Sequence, residues 1–160
     1  MDETPHSPTK AEWIQILEAS ARLQMDSDAA RGVRARRLPQ PVTEETITQE
    51  DMDAITVLDY IVPTYFLIKL HVLMDWTVDA LYRDRFPGRN QDLGRVSKLR
   101  ELSRVIDINN DRLKTLVDLR NGCAHEFTKE VTWEEFDQQH HSFICLREWL
   151  INESLRSLNR

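Results

Sequence analysis

Cysteine is scarce. Cys123 and Cys145 are the only two in 160 residues. They form no C-x-x-C pair and no Cys/His set at metal-ligand spacing, so zinc-finger and disulfide-framework classes are excluded and no metal or cofactor is expected. Glycine is nearly as rare, with four. No stretch keeps up the apolar/polar alternation of a half-buried strand, which excludes a sheet protein and leaves an all-helical one. Long apolar runs are absent too. The longest uncharged stretch, residues 60–68, falls far short of the ~20 residues of a membrane span. The opening MDETPHSPTK lacks the basic-then-apolar order of a signal peptide. These absences lead to the expectation of a cytoplasmic protein with no membrane partner. In that setting the glycosylation-like triplet Asn152-Glu153-Ser154 is without consequence. The net charge of −6 argues against coating nucleic acid by bulk charge, though it leaves room for a small local phosphate site.

What is present is helical periodicity. Residues 1–8 read as a loose tail. Thr9 and Glu12 make a capping-box pattern that opens a helix to about Met25, with Trp13, Ile16, Leu17 and Leu23 as its apolar face. Residues 26–47, with Gly32, Pro39 and Pro41, read as a mobile linker. Within it, RGVRARR supplies Arg31, Arg34, Arg36 and Arg37, candidates for tracking a nucleic-acid backbone. The alternative is a basic linker with no partner. From Thr48 the main apolar segment runs through Ile55, Leu58, Val62, Phe66, Leu73, Trp76 and Ala80, with Pro63 expected to kink or split it. Phe86-Pro87-Gly88 stops it. A helix over residues 93–106 turns Val96, Leu99, Leu102 and Val105 or Ile106 inward. A turn at 107–110 leads into a helix from about Asp111 using Leu113, Leu116, Val117 and Ala124. Thr132 and Glu135 open the last helix, which carries Phe136, Phe143, Ile144, Leu146, Trp149, Leu150 and Leu155. The expected architecture is an up-and-down bundle of four to five helices. Residues 1–47 form a tail, short helix and linker, and residues 48–160 form the bundle.

One helix end is unusual. In LVDLRNGCAHEF, residues 116–127, Arg120, Asn121 and His125 gather within six positions. Gly122 alone would serve to stop a helix. Taken singly, Arg120 would be an ion pair with Asp118 or Glu126 or a solvated side chain, Asn121 a helix-end cap, and His125 a partly buried histidine with a backbone partner. Together they suit phosphate chemistry. Positions 121 and 125 share a helical face, with Arg120 beside them. A guanidinium fork pairs with phosphate oxygens, and an imidazole moves a proton near neutral pH. Cleaving RNA without a metal needs a base, an acid and a cation for the developing charge. One motif has a single imidazole and a single guanidinium. A two-fold dimer supplies two of each.

Helical context and R-N-x-x-x-H spacing resemble the HEPN superfamily, and LGRVSKLRELSRVIDINNDRLKTL resembles the helix–turn–helix leading into its motif. By architecture the resemblance extends over roughly residues 50–157. It implies a four-helix bundle that dimerises with its motifs facing each other. It also implies a metal-independent endoribonuclease of a toxin–antitoxin, phage-defence or RNA-processing system. Arg120 and His125 would be catalytic and Asn121 would support them. The alternative within the family is a non-catalytic regulatory module that binds RNA, nucleotide or a protein partner. One toxin branch has a tyrosine two positions after the histidine, which its antitoxin modifies. Phe127 stands there in this chain, so that regulation is not expected. An antitoxin or another regulatory protein is nevertheless an expected partner, beside the second copy and RNA. Of the remaining residues, His140 and His141 are expected on the solvated side of the last helix, and His71 in the core or an interface. Cys123 is expected as a small buried thiol. Trp76, Trp133, Trp149 and Phe143 are expected as core rather than base-stacking platforms.

Overall fold

The computed structural model describes residues 7–38, 44–105 and 131–158. The described residues are helical and include no strand. The first helix, α1 (Lys10–Arg37), begins as its capping box dictates: the Thr9 hydroxyl accepts from the Glu12 N–H at 3.2 Å. It does not end at Met25. It runs 28 residues, through half of the stretch expected to be a mobile linker. Gly32 costs a helix only about 1 kcal/mol, and local pairs offset that. Gln24 bonds the Asp28 carboxylate one turn on, and Arg34, Arg36 and Arg37 in the last turn face the negative end of the helix dipole. Trp13, Ile16 and Leu23 of α1 enter the same core as the later helices, so the boundary expected at residue 47 does not set α1 apart.

The main apolar segment is one 37-residue helix, Gln49–Arg85. It comprises α2 (Gln49–Thr56), a π-helical turn (Val57–Ile61) and α3 (Val62–Arg85). Thr48 and Asp51 cap its start reciprocally, at 3.1 and 3.2 Å. Of the two outcomes expected of Pro63, a kink or a split, the split does not occur. The helix widens one turn early instead, so that the Val62 N–H reaches the Val57 carbonyl. In that register Pro63 has no N–H to offer Leu58. The Leu58 carbonyl accepts instead from the Trp133 indole at 2.8 Å, and the Tyr60 carbonyl from the Thr64 hydroxyl at 2.7 Å. Trp133→Phe keeps an aromatic ring but leaves the Leu58 carbonyl unpaired. It should cost about 1–3 kcal/mol in a urea melt. A loss below about 0.5 kcal/mol would mean the carbonyl finds another partner.

Packing directions follow from the contacts. In α1, Glu12 meets Trp76 and Arg83, while Arg34 meets Asp59, so α1 runs antiparallel to the long helix. The last helix, α5 (Trp133–Leu158), starts beside Leu58 and passes His71 with Gln139, so it runs parallel to α3. The short α4 (Arg95–Leu102) also runs in the direction of α3, with Arg95 at His71, Lys98 at Asp79 and Glu101 at Tyr82. Simple up-and-down alternation therefore fails between α3 and α4. The loop after Phe86 carries the chain back along α3, turning at Gly88, whose φ of 85° suits glycine. The expected helix over 93–106 is shorter, Arg95–Leu102; of the two residues offered for its inward end, Val105 is exposed and Ile106 lies outside the described residues. Phe66, Leu70, Met74, Leu81, Leu99, Leu102, Phe136 and Phe143 fill the centre.

Candidate functional site

Arg120, Asn121 and His125 lie outside the described residues, as does Cys123. The residues on either side of that segment are placed. Glu101 of α4 lies at Tyr82, near the end of α3, and Trp133 of α5 lies at Leu58, near its start. The two flanks of residues 106–130 thus stand toward opposite ends of the long helix.

The four arginines expected to contact nucleic acid sit on the last turns of α1, and three are occupied within the chain. Arg31 pairs with Asp137 and lies 4.7 Å from the centre of the Trp133 ring. Arg34 forks onto Asp59 at 2.9 and 3.3 Å, which holds its guanidinium further toward the protonated form. Arg37 meets Glu50 and Asp51, each at 3.4 Å. Arg36 is exposed and makes no ion pair among the described residues. RGVRARR is therefore largely a clasp joining α1 to α2 and α5.

A buried polar cluster between α3, α4 and α5 was not anticipated. Arg95 and Lys98 are buried, although both are cations. Arg95 donates to His71 Nδ1 at 3.0 Å and approaches Asp75 at 3.2 Å. Because a guanidinium only donates, His71 Nδ1 accepts, and the proton on Nε2 is donated to Gln139 Oε1 at 2.7 Å. Lys98 pairs with Asp79 and lies 5.6 Å from the Tyr82 ring centre. The Tyr82 hydroxyl donates to Glu101 at 2.6 Å; burial raises the phenol, and that bond holds the Glu101 carboxyl below the usual range. The signal for this cluster was spacing: Arg95 shares the inward face of Leu99 and Leu102.

His140 is buried, not solvated as expected, whereas His141 is exposed. Positions 136, 140 and 143 share a face, and the His140 ring stacks on Phe136 with centroids 5.2 Å apart. Burial lowers its affinity for a proton, with nearby Arg147 acting the same way. A histidine depressed in the folded state contributes stability that is whole above its unfolded value, ~6.5, and is lost as pH falls through the folded one. His140→Gln should therefore flatten the fall in melting temperature as pH drops from neutral into the mildly acid range. An unchanged slope would assign acid sensitivity to another group. His71 is half-buried in the polar cluster, as expected of a core or interface histidine. Trp76 and Trp133 are half-buried and Phe143 is fully buried, which agrees with a core role.

An open groove of about 430 Å³ runs between α1 and α3, walled by Leu73 and Trp76 and rimmed by Glu18, Arg22, Asp26 and Lys69. Its rim carries both signs of charge, which favours no one ionic ligand. Among the described residues no three His, Cys, Asp or Glu side chains are placed to hold a metal. Comparison with family models, curated proteins and solved structures finds no match.

Proposed function

We propose that the chain is a HEPN-type, metal-independent endoribonuclease, cytoplasmic and acting as a toxin or defence component, with its active site completed by a second copy. The observation that carries this reading is the spacing of Arg120, Asn121 and His125 at the end of an apolar helical pattern. The all-helical packing of the described residues is compatible with such a domain. In this reading Arg120 neutralises the scissile phosphate, His125 moves a proton, and Asn121 orients them. The RNA's own 2′-hydroxyl attacks the adjacent phosphorus. The bond to the 5′-oxygen breaks, and that oxygen takes up a proton. RNA contact then rests chiefly on this motif. Of Arg31, Arg34, Arg36 and Arg37, Arg36 is the one that makes no ion pair among the described residues and so reaches a phosphate without first breaking one.

The test is purified protein incubated with RNA in EDTA. Cleavage leaving 2′,3′-cyclic phosphate ends, with a 2′-deoxy substrate resistant, is the expected result. No cleavage, with RNA or nucleotide still held at the motif, would move the chain to the regulatory class.

A further inference from the structure

Charge is segregated by sign where α1 gives way to the long helix. Residues 29–37 hold four arginines and no acid. Residues 38–68 hold six acids, Glu44, Glu45, Glu50, Asp51, Asp53 and Asp59, and no lysine or arginine. The two blocks fold onto each other: Arg34 forks onto Asp59, and Arg37 meets Glu50 and Asp51. Arg31, Arg34 and Arg37 follow one another at three-residue steps, so neighbours in the row lie side by side on α1, with Arg36 beside them. The contact is built from exposed parts. The side chains of Arg34 and Arg37 are 45% and 40% exposed and that of Glu50 is 86% exposed. No side chain of α2 or of the π-helical turn is fully buried. Ion pairs this exposed contribute little to holding a fold together.

We propose that the RGVRARR face of α1 is a binding site for a single nucleic-acid strand, and that the acidic start of the long helix occupies it as an internal competitor. A carboxylate and a backbone phosphate offer a guanidinium the same pair of acceptor oxygens. Arg34 and Arg37 exchange Asp59, Glu50 and Asp51 for phosphates, next to Arg36, which has no ion pair to give up among the described residues. Arg31 stays on Asp137 and the Trp133 ring. Exchange succeeds when several phosphates of one strand engage together, because each sheds its condensed counterions. A lone phosphate does not offset the broken pairs, so the site takes a strand and not a mononucleotide. That the strand is RNA rests on the function proposed above.

The experiment is fluorescence anisotropy of a short labelled 2′-deoxy strand with the full chain in EDTA. The missing hydroxyl removes cleavage from the measurement. Glu50→Gln combined with Asp59→Asn should tighten binding by about tenfold, the summed worth of the exposed pairs removed. Glu45→Gln combined with Asp53→Asn is the control. It takes as much charge from the same acidic block, but both residues are exposed and neither pairs with an arginine among the described residues. Its effect should stay below about twofold. Arg34→Gln combined with Arg37→Gln should weaken binding by about tenfold or more. The salt dependence should also steepen in the unmasked variant, because in the wild type the freed carboxylates take up cations and offset part of the counterion release. Circular dichroism checks that each variant is folded. Glu50→Gln alone, at an exposed position, should tighten binding in the same direction by a smaller factor. An unmasked variant that binds no better than the control would overturn the proposal, and so would arginine variants that bind as tightly as the wild type. The expected binding pattern without RNA cleavage would defeat the endoribonuclease reading and leave the masked site standing. Cleavage of RNA without that pattern would do the reverse.

Discussion

His125→Ala should lower RNA cleavage by about a hundred- to ten-thousandfold, the usual worth of a positioned proton-transfer group. Arg120→Ala should lower it by on the order of a hundredfold or more, because charge builds on the phosphate in the transition state and a fixed cation facing it is lost. The two variants should differ in character. Arg120→Lys keeps the charge but loses the fork, and should recover only part of the rate. His125→Ala should lose the limb of the pH–rate profile that a neutral-range imidazole produces. Asn121→Ala should do less than either, since an orienting amide touches the reaction through its neighbours. EDTA should leave all rates unchanged. Single-turnover cleavage of a short labelled RNA measures each effect. Equal rates for the wild type and both alanine variants would place the activity at another site or in a contaminant.

Helix starts were legible because they rest on local chemistry: Thr9, Thr48 and Thr132 each accept from a backbone N–H three residues on. Helix ends were less so. Residues 26–37 carry Asp, Ser and Gly32, and so read as a loop. What keeps them helical includes Arg31 on Asp137 and Arg34 on Asp59, partners 106 and 25 residues away. The consequence of Pro63 was likewise hidden, because the carbonyl it strands is met by Trp133, 75 residues on from Leu58. Buried His140 was misjudged and buried Arg95 was not singled out, because charge was weighed above spacing, although both stand in apolar register with their neighbours. For the candidate site, its residue types and spacing were legible in the sequence. The arginines of α1 show the limit of that reading: a basic run reveals nothing of its partners until the acidic side chains of other helices are placed beside it.

The difference between a covered and an uncovered face of one helix sets the largest effect on stability. Leu70 and Ile68 are two positions apart on α3. Leu70 is 0% exposed, within the core shared by α1 and α5, and Ile68 is 53% exposed on the outer face of the same helix. Leu70→Ala removes buried carbons and leaves a cavity that the surrounding helices close only in part. It should cost about 2–5 kcal/mol. Set against a typical total of roughly 5–15 kcal/mol, that endangers the folded state itself. Ile68→Ala removes carbons that already meet water in the single chain. At concentrations where the chain is monomeric it should change stability by no more than about 0.5 kcal/mol. Urea melts of both variants give the comparison. Equal losses for Leu70→Ala and Ile68→Ala in the monomer would contradict the placement of these two faces.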